Sequence, residues 1–297
     1  MSSAQSALRE PRVDLSTRLA AWLTLARISN SPTVASDVLA GAALAGAVSP
    51  GSTLGLLIVA MVAFYTAGML LNDVFDYSWD LTHRPDRPLV VGVLARPAVM
   101  IAAVGLFAVG GVLLWLVGQR AFLGGLVLIA LIVAYDAWHK SNPLSPLVMA
   151  ACRLMVYVVA FVAFAWPPTF SLSLAGAGLV LYLVGLTAIA KSEARPTVVG
   201  YWPAALCFLP AVYFVTRFET PAPFFALLSA AWIAFTIRLV YRQTERRIGA
   251  VIARLIAGIS LVDAMVLAAS GAEAPIIGLA LLAFGMTLLL QRYVEGT

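Results

Sequence analysis

The chain has 297 residues, of which 62% are hydrophobic and only 11% charged, and its mean hydropathy is +0.96. A water-soluble domain carries about 25% charged residues, so a soluble enzyme is excluded and lipid is the expected solvent. The net charge of +5 is small and its basic residues fall between apolar runs; they report membrane topology and give no basis for a nucleic-acid partner.

Only helices or closed barrels satisfy their backbone groups in lipid. Barrel strands would alternate polar and apolar residues, whereas the apolar runs here are unalternated and close to helix-spanning length. The expectation is an all-α, polytopic transmembrane bundle. Ten apolar segments are expected, near 21–47, 54–78, 97–118, 121–138, 145–166, 171–190, 198–216, 223–241, 248–270 and 274–291. Residues 1–20 are polar and read as a cytoplasmic tail, and 21–292 as a single membrane domain. The first segment, with Arg27 and Asp37 inside it, reads as an uncleaved span rather than a signal peptide.

The charges support this count. Arg9, Arg12, Arg18, Arg84, Arg87, Arg96, His139, Lys140, Lys191, Arg195, Arg242, Arg246, Arg247 and Arg292 fall on one side of a ten-span arrangement, and only Arg120 and Arg217 on the other. The positive-inside rule then puts both termini and the basic loops in the cytoplasm, as in the inner membrane of a bacterial cell. Cys152 and Cys207 lie in apolar runs with no metal or disulfide spacing and read as packing residues.

Polar chemistry concentrates after the second segment, in "LNDVFDYSWDLTHRPDRPLVVG", residues 71–92. Asn72, Asp76 and Asp80 are spaced i, i+4, i+8, with Asp73 within a turn of Asp76, so a helix carries them on one side. Stacked carboxylates are hard oxygen ligands suited to Mg2+. Arg84 and Arg87 follow within one loop, and guanidinium forks match phosphate oxygens. Pro85 and Pro88 stiffen that loop, and Gly92 permits a turn. Metal ligands followed by arginines describe a site for a phosphorylated substrate.

The same stretch resembles the first aspartate-rich motif of the UbiA superfamily of intramembrane prenyltransferases, at Asn72, Asp73, Asp76, Asp80, Arg87, Pro88, Leu89 and Gly92. "YDAWHK" resembles that family's tyrosine-to-lysine turn, carrying over Tyr135 and Lys140. Arg27 matches an arginine the family places by the diphosphate, and "MAACRLMVY" brings Arg153 into the fifth segment. The resemblance covers roughly residues 20–270. It implies a bundle of about nine to ten helices around a central cavity open to the cytoplasmic side. It also implies Mg2+ on Asp73, Asp76 and Asp80, and transfer of an isoprenyl group from its diphosphate to an aromatic or other small acceptor. Asn72, Arg27, Arg84, Arg87, Lys140 and Arg153 would hold the diphosphate, and Asp76, Asp80, Tyr135 and Lys140 would act on the reacting groups.

The chain departs from the family where a second paired-aspartate motif is expected after the sixth segment. "AIAKSEARPTVVG" puts Lys191 and Arg195 there, with Glu193 between them. The segment reads either as a degenerate site or as a rebuilt phosphate site, in which Lys191 and Arg195 neutralise phosphate directly and Glu193 binds metal, pairs with Lys191 or acts on the acceptor. Some relatives with a Lys- and Glu-containing segment move a phosphorylated sugar onto a polyprenyl phosphate, which is the alternative reading. A transporter or lipid-binding protein is the remote alternative; it would show internal pseudosymmetry, and no repeat is present. Asp37 and Asp263 lie mid-segment, and Asp263 is expected to pair with Arg254 or another buried group.

Overall fold

In a computed structural model, residues 14–47, 51–140, 142–191, 200–242 and 248–294 are described. Eleven α-helices follow one another: α1 Leu15–Leu25, α2 Ser31–Leu44, α3 Ser52–His83, α4 Arg96–Val117, α5 Gln119–Trp138, α6 Ser145–Val162, α7 Phe170–Ala190, α8 Trp202–Phe214, α9 Ala222–Arg242, α10 Ile248–Ala269 and α11 Ala274–Leu290. Seven of them, α3 to α7, α9 and α10, are long and apolar enough to cross a membrane. α2, α8 and α11 are shorter.

The first expected segment is two helices rather than one. α1 ends at Leu25, a single 3₁₀ turn covers Ile28–Asn30, and Arg27 between them sits in the left-handed region at φ 42°. That conformation costs an L-residue about 1–2 kcal/mol, so the surrounding structure must hold it. α2 restarts with Pro32 in its first turn, where the missing N–H costs nothing. α1 also begins inside the stretch read as a tail. At 11 residues it is about 16 Å long, too short to span. Its Leu15, Leu19 and Leu23 form an exposed stripe, while Ala21 and Leu25 are buried. Such a helix suits the bilayer surface.

α2 is the central helix: all its residues from Val38 to Ala43 are buried, and it packs on α3, α6, α10 and α11. Its approach to α6 is set by Gly41, where a Cβ would stand 2.5 Å from the Tyr157 carbonyl oxygen. A second, smaller apolar cluster joins α1, α3 and α4 through Leu25, Leu70, Val74, Leu89, Leu94 and Val99. Leu89 and Leu94 pin the loop after α3, and Gly92 turns it at φ +75°. At the end of α11, Gln291 Nε2 donates to Asn30 Oδ1 and to the Ala253 carbonyl, both at 3.0 Å.

Candidate active site

The long α3 carries Asn72, Asp73, Asp76 and Asp80 on its last three turns. Asn72, Asp73 and Asp80 are buried, and Asp76 is partly exposed. The adjoining end of α5 supplies the matching groups. Lys140 Nζ lies 2.8 Å from Asp76 Oδ1, and His139 Nε2 lies 3.6 Å from Asp76 Oδ2. Lys140 also sits 4.4 Å above the Trp79 ring, and Tyr135 stacks on His139. The Asp76 carboxylate, first by hydrogen bonding, holds the His139 imidazole charged above its ordinary range.

The pinned loop brings Arg87 back over α3, with Nη1 3.7 Å from Asp73 Oδ1. Arg84 is exposed, and its charge reaches Asp80. Below Asp73, Arg27 packs on α3 with Nη1 3.5 Å from the Met69 sulfur. Its charge acts on Asp73, Tyr135 and Asp136. Arg27 Nε is buried and has no hydrogen-bond partner among the described residues. The left-handed break thus directs a cation at the carboxylates from inside the bundle.

Asp136 is a candidate site residue that the sequence did not single out. It is buried beside Tyr135, and Asn72 Nδ2 donates to its Oδ1 at 3.1 Å. Its Oδ2, like Asp73 Oδ2, is buried with no hydrogen-bond partner among the described residues. Its place next to the matched tyrosine was the only available signal.

The other expected residues separate. Arg153 lies away from the aspartates, 2.8 Å from Asp37 and donating to Thr33. Asp263 pairs with Tyr157 and Ser36, while Arg254 lies over the Phe235 ring. Lys191 is exposed and donates to Ser145 Oγ at 2.8 Å, at the start of α6. Glu193 and Arg195 lie outside the described residues.

No three acidic, histidine or cysteine side chains converge closely enough to hold a metal among the described residues. The donor set nonetheless fits Mg2+. Two buried carboxylate oxygens without hydrogen-bond partners, on Asp73 and Asp136, are hard donors that gain from a cation. Asp76 and Asp80 stand one and two turns further along α3 and would complete the set.

An apolar groove of about 390 Å³ starts beside the Arg27 break, at Ile28 and Ser31. It runs between α2, α3 and α11, past Leu39, Ile58, Leu282 and Ala283.

Residues 34–195 match the model of the UbiA prenyltransferase family. Among curated proteins, digeranylgeranylglyceryl phosphate synthase of Thermococcus kodakarensis is 38% identical over 90 residues, covering 30% of this chain and 32% of the relative. The same-named protein of Thermococcus gammatolerans is 35% identical over 107 residues, 36% of this chain and 38% of the relative. The matched region therefore spans about a third of the length of these relatives. Among solved structures, a UbiA homologue from Aeropyrum pernix K1 superposes with a TM-score of 0.67 at 18% identity, covering 80% of this chain and 96% of that one. A UbiA homologue from Archaeoglobus fulgidus, bound to GPP and Mg2+, gives 0.58 at 14% identity, covering 84% and 99%. The fold is thus shared along nearly the whole of both solved chains.

Proposed function

The chain belongs to the UbiA prenyltransferase family, and from that premise we propose that it transfers an isoprenyl group from its diphosphate to a small acceptor, with Mg2+, at the aspartate-bearing end of the bundle. The observation that carries this reading is the meeting of two deficits. The buried Nε of the Arg27 guanidinium, and buried oxygens of Asp73 and Asp136, have no hydrogen-bond partners among the described residues. A metal ion and a polyanion together satisfy both, whereas either alone leaves charge uncompensated.

Asp73, Asp76, Asp80 and Asp136 would hold the metal, which when bound neutralises the diphosphate and improves it as a leaving group. Asn72 fixes the orientation of Asp136 through its amide. Arg27 from below, and Arg87 and Lys140 from the rim, would take the phosphate oxygens, with Arg84 adding charge outside. In the transfer, the allylic carbon–oxygen bond breaks and its electron pair leaves with the diphosphate. The acceptor atom bonds to that carbon and gives up its proton to the departing diphosphate. The groove that opens beside Arg27 is apolar, suited to the isoprenyl tail, and Tyr135, stacked on His139 beside Asp76, would face the acceptor.

The charge bias of the loops supports a cytoplasmic position for this end and for both termini. The GPP and Mg2+ of the Archaeoglobus fulgidus homologue, and the isoprenoid glyceryl phosphate product in the name of the Thermococcus relatives, support the donor class. For the polyprenyl-phosphate alternative, Lys191 is engaged by Ser145 and the rest of its segment lies outside the described residues; no observation favours it. The test is release of diphosphate from geranyl and geranylgeranyl diphosphate by the full chain in lipid nanodiscs, with and without Mg2+. Metal-dependent binding or turnover is expected. Its absence with every donor length overturns the reading.

A further inference from the structure

Away from the aspartate end, three helices bring three charged side chains into the apolar interior. Asp37 on α2 and Asp263 on α10 are both 0% exposed, and Arg153 on α6 is nearly buried. Arg153 Nη1 lies 2.8 Å from Asp37 Oδ2, and its Nη2 donates to Thr33 Oγ1. Asp263 accepts from the Tyr157 hydroxyl at 2.5 Å and from Ser36 Oγ, which in turn lies 2.9 Å from Ser260 Oγ. Tyr65 of α3 stacks beyond Arg153 at 5.9 Å and separates it from Arg27.

The cluster is one positive charge short. Two carboxylates face one guanidinium, and hydroxyl groups donate to only one of the acids. With both acids ionised, neither Asp37 oxygen has an aligned hydrogen-bond donor among the described residues, and two buried anions share one cation. A net charge buried inside a membrane bundle is strongly disfavoured. With one proton on the pair, the single Arg153 guanidinium balances the remaining carboxylate and the cluster becomes neutral.

Ser36 borders the apolar groove between α2, α3 and α11, which offers almost no polar surface to a proton; the polar cavity nearest the pair lies on the other side. A cavity of about 630 Å³ opens at the other end of the bundle from the aspartates, between α2, α7, α8 and α10, with Arg217 and Glu219 at its rim. Val266 and Ser270 line it and follow Asp263 by three and seven residues, on the same face of α10. Ala43 lines it and follows Ser36 by seven on α2. Toward the aspartate end stand Arg153 and, beyond it, Tyr65.

We propose that Asp37 and Asp263 form an intramembrane proton-binding site, separate from the Asp73–Asp80 site, that exchanges its proton with the cavity at the opposite end of the bundle. On release, the acid O–H bond breaks, its electron pair stays on the carboxylate, and the proton passes to water in that cavity. The released state has a net negative charge that tightens the hold on Arg153.

The test is infrared spectroscopy of the full chain in nanodiscs, which reads no turnover. At neutral pH, a carbonyl band of a protonated carboxylic acid is expected, shifting in deuterium oxide and with isotope-labelled aspartate. Asp37→Asn and Asp263→Asn should each lose that band; each replaces the proton with an isosteric neutral amide, so the cluster stays neutral. Asp76→Ala should keep it, whatever happens to prenyl transfer. Ala269→Trp, in the wall of the cavity, should slow its deuterium exchange by an order of magnitude or more. A wild-type spectrum without the band, or a band that survives in either Asn variant, overturns the site. An unchanged exchange rate in Ala269→Trp overturns the cavity route. Should an Asn variant fail to fold, the labelled wild-type spectrum still decides whether the proton is there.

Discussion

Lys140 Nζ lies 2.8 Å from Asp76 Oδ1, so the carboxylate that stands midway along the acidic stripe is already neutralised by a side chain. A metal entering there must share or displace that ammonium. Lys140→Met should therefore raise the affinity for Mg2+ alone while lowering kcat/KM for the diphosphate donor, because the cation that meets phosphate is gone. Isothermal titration with Mg2+ and steady-state kinetics separate the two effects. A variant that loses both, or neither, would show that Lys140 does not move between carboxylate and phosphate.

Asn72 acts through Asp136. Asn72→Ala removes the only side-chain donor to that carboxylate among the described residues and should weaken apparent Mg2+ affinity about 10–100-fold, the usual cost of losing a group that orients a ligand. Asp136→Asn should have at least as large an effect. Mg2+-dependence of turnover checks both, and an unchanged metal requirement in Asp136→Asn would remove it from the donor set.

Arg27→Met should cost about 2–5 kcal/mol of donor binding, typical of truncating a buried partner of a charged contact. Arg27→Lys should recover only part, since a point charge lacks the fork. Donor affinity measured at saturating Mg2+ is the readout. Equal affinity in all three proteins would mean the guanidinium does not face the diphosphate.

The His139 imidazole is held charged above its ordinary value of 6.5 by Asp76. The pair's contribution to stability is thus fully present below 6.5 and fades as pH rises through the raised value. Mg2+ on Asp76 would compete for the same carboxylate and lower the His139 pKa. Nuclear magnetic resonance of labelled histidine in metal-free protein should show the raised value, and Asp76→Asn should return it toward 6.5. A titration midpoint unaffected by Asp76→Asn would contradict the pairing.

Ala283 is buried at the wall of the groove between α2, α3 and α11. Ala283→Phe should narrow it and lower kcat/KM for geranylgeranyl diphosphate far more than for dimethylallyl diphosphate. A uniform loss across donor lengths would place the tail elsewhere.

Much of this arrangement was legible in sequence, for stated reasons. Composition and unbroken apolar runs fixed the bundle, and the i, i+4, i+8 spacing placed Asn72, Asp76 and Asp80 on one side of α3. The break at Arg27 was partly readable: Asn30-Ser31-Pro32 is a helix start, but hydropathy averages over it. What stayed hidden was contact between distant residues. Asp37 and Asp263 are separated by more than two hundred positions, and neither carries a local pattern that names the other. Asp136 was hidden differently: one acid on an apolar helix has no periodicity, and only the amide of Asn72 reveals its task.

The clasp of Gln291 on Asn30 and on the Ala253 carbonyl has a practical consequence for labelling and fusion. It ties α11 to the turn that sets Arg27. A bulky reporter fused directly after residue 294 would crowd that turn and disturb donor binding without touching any aspartate. A reporter at the loop between α8 and α9, around the exposed Phe218, sits at the other end of the molecule and would leave the clasp alone.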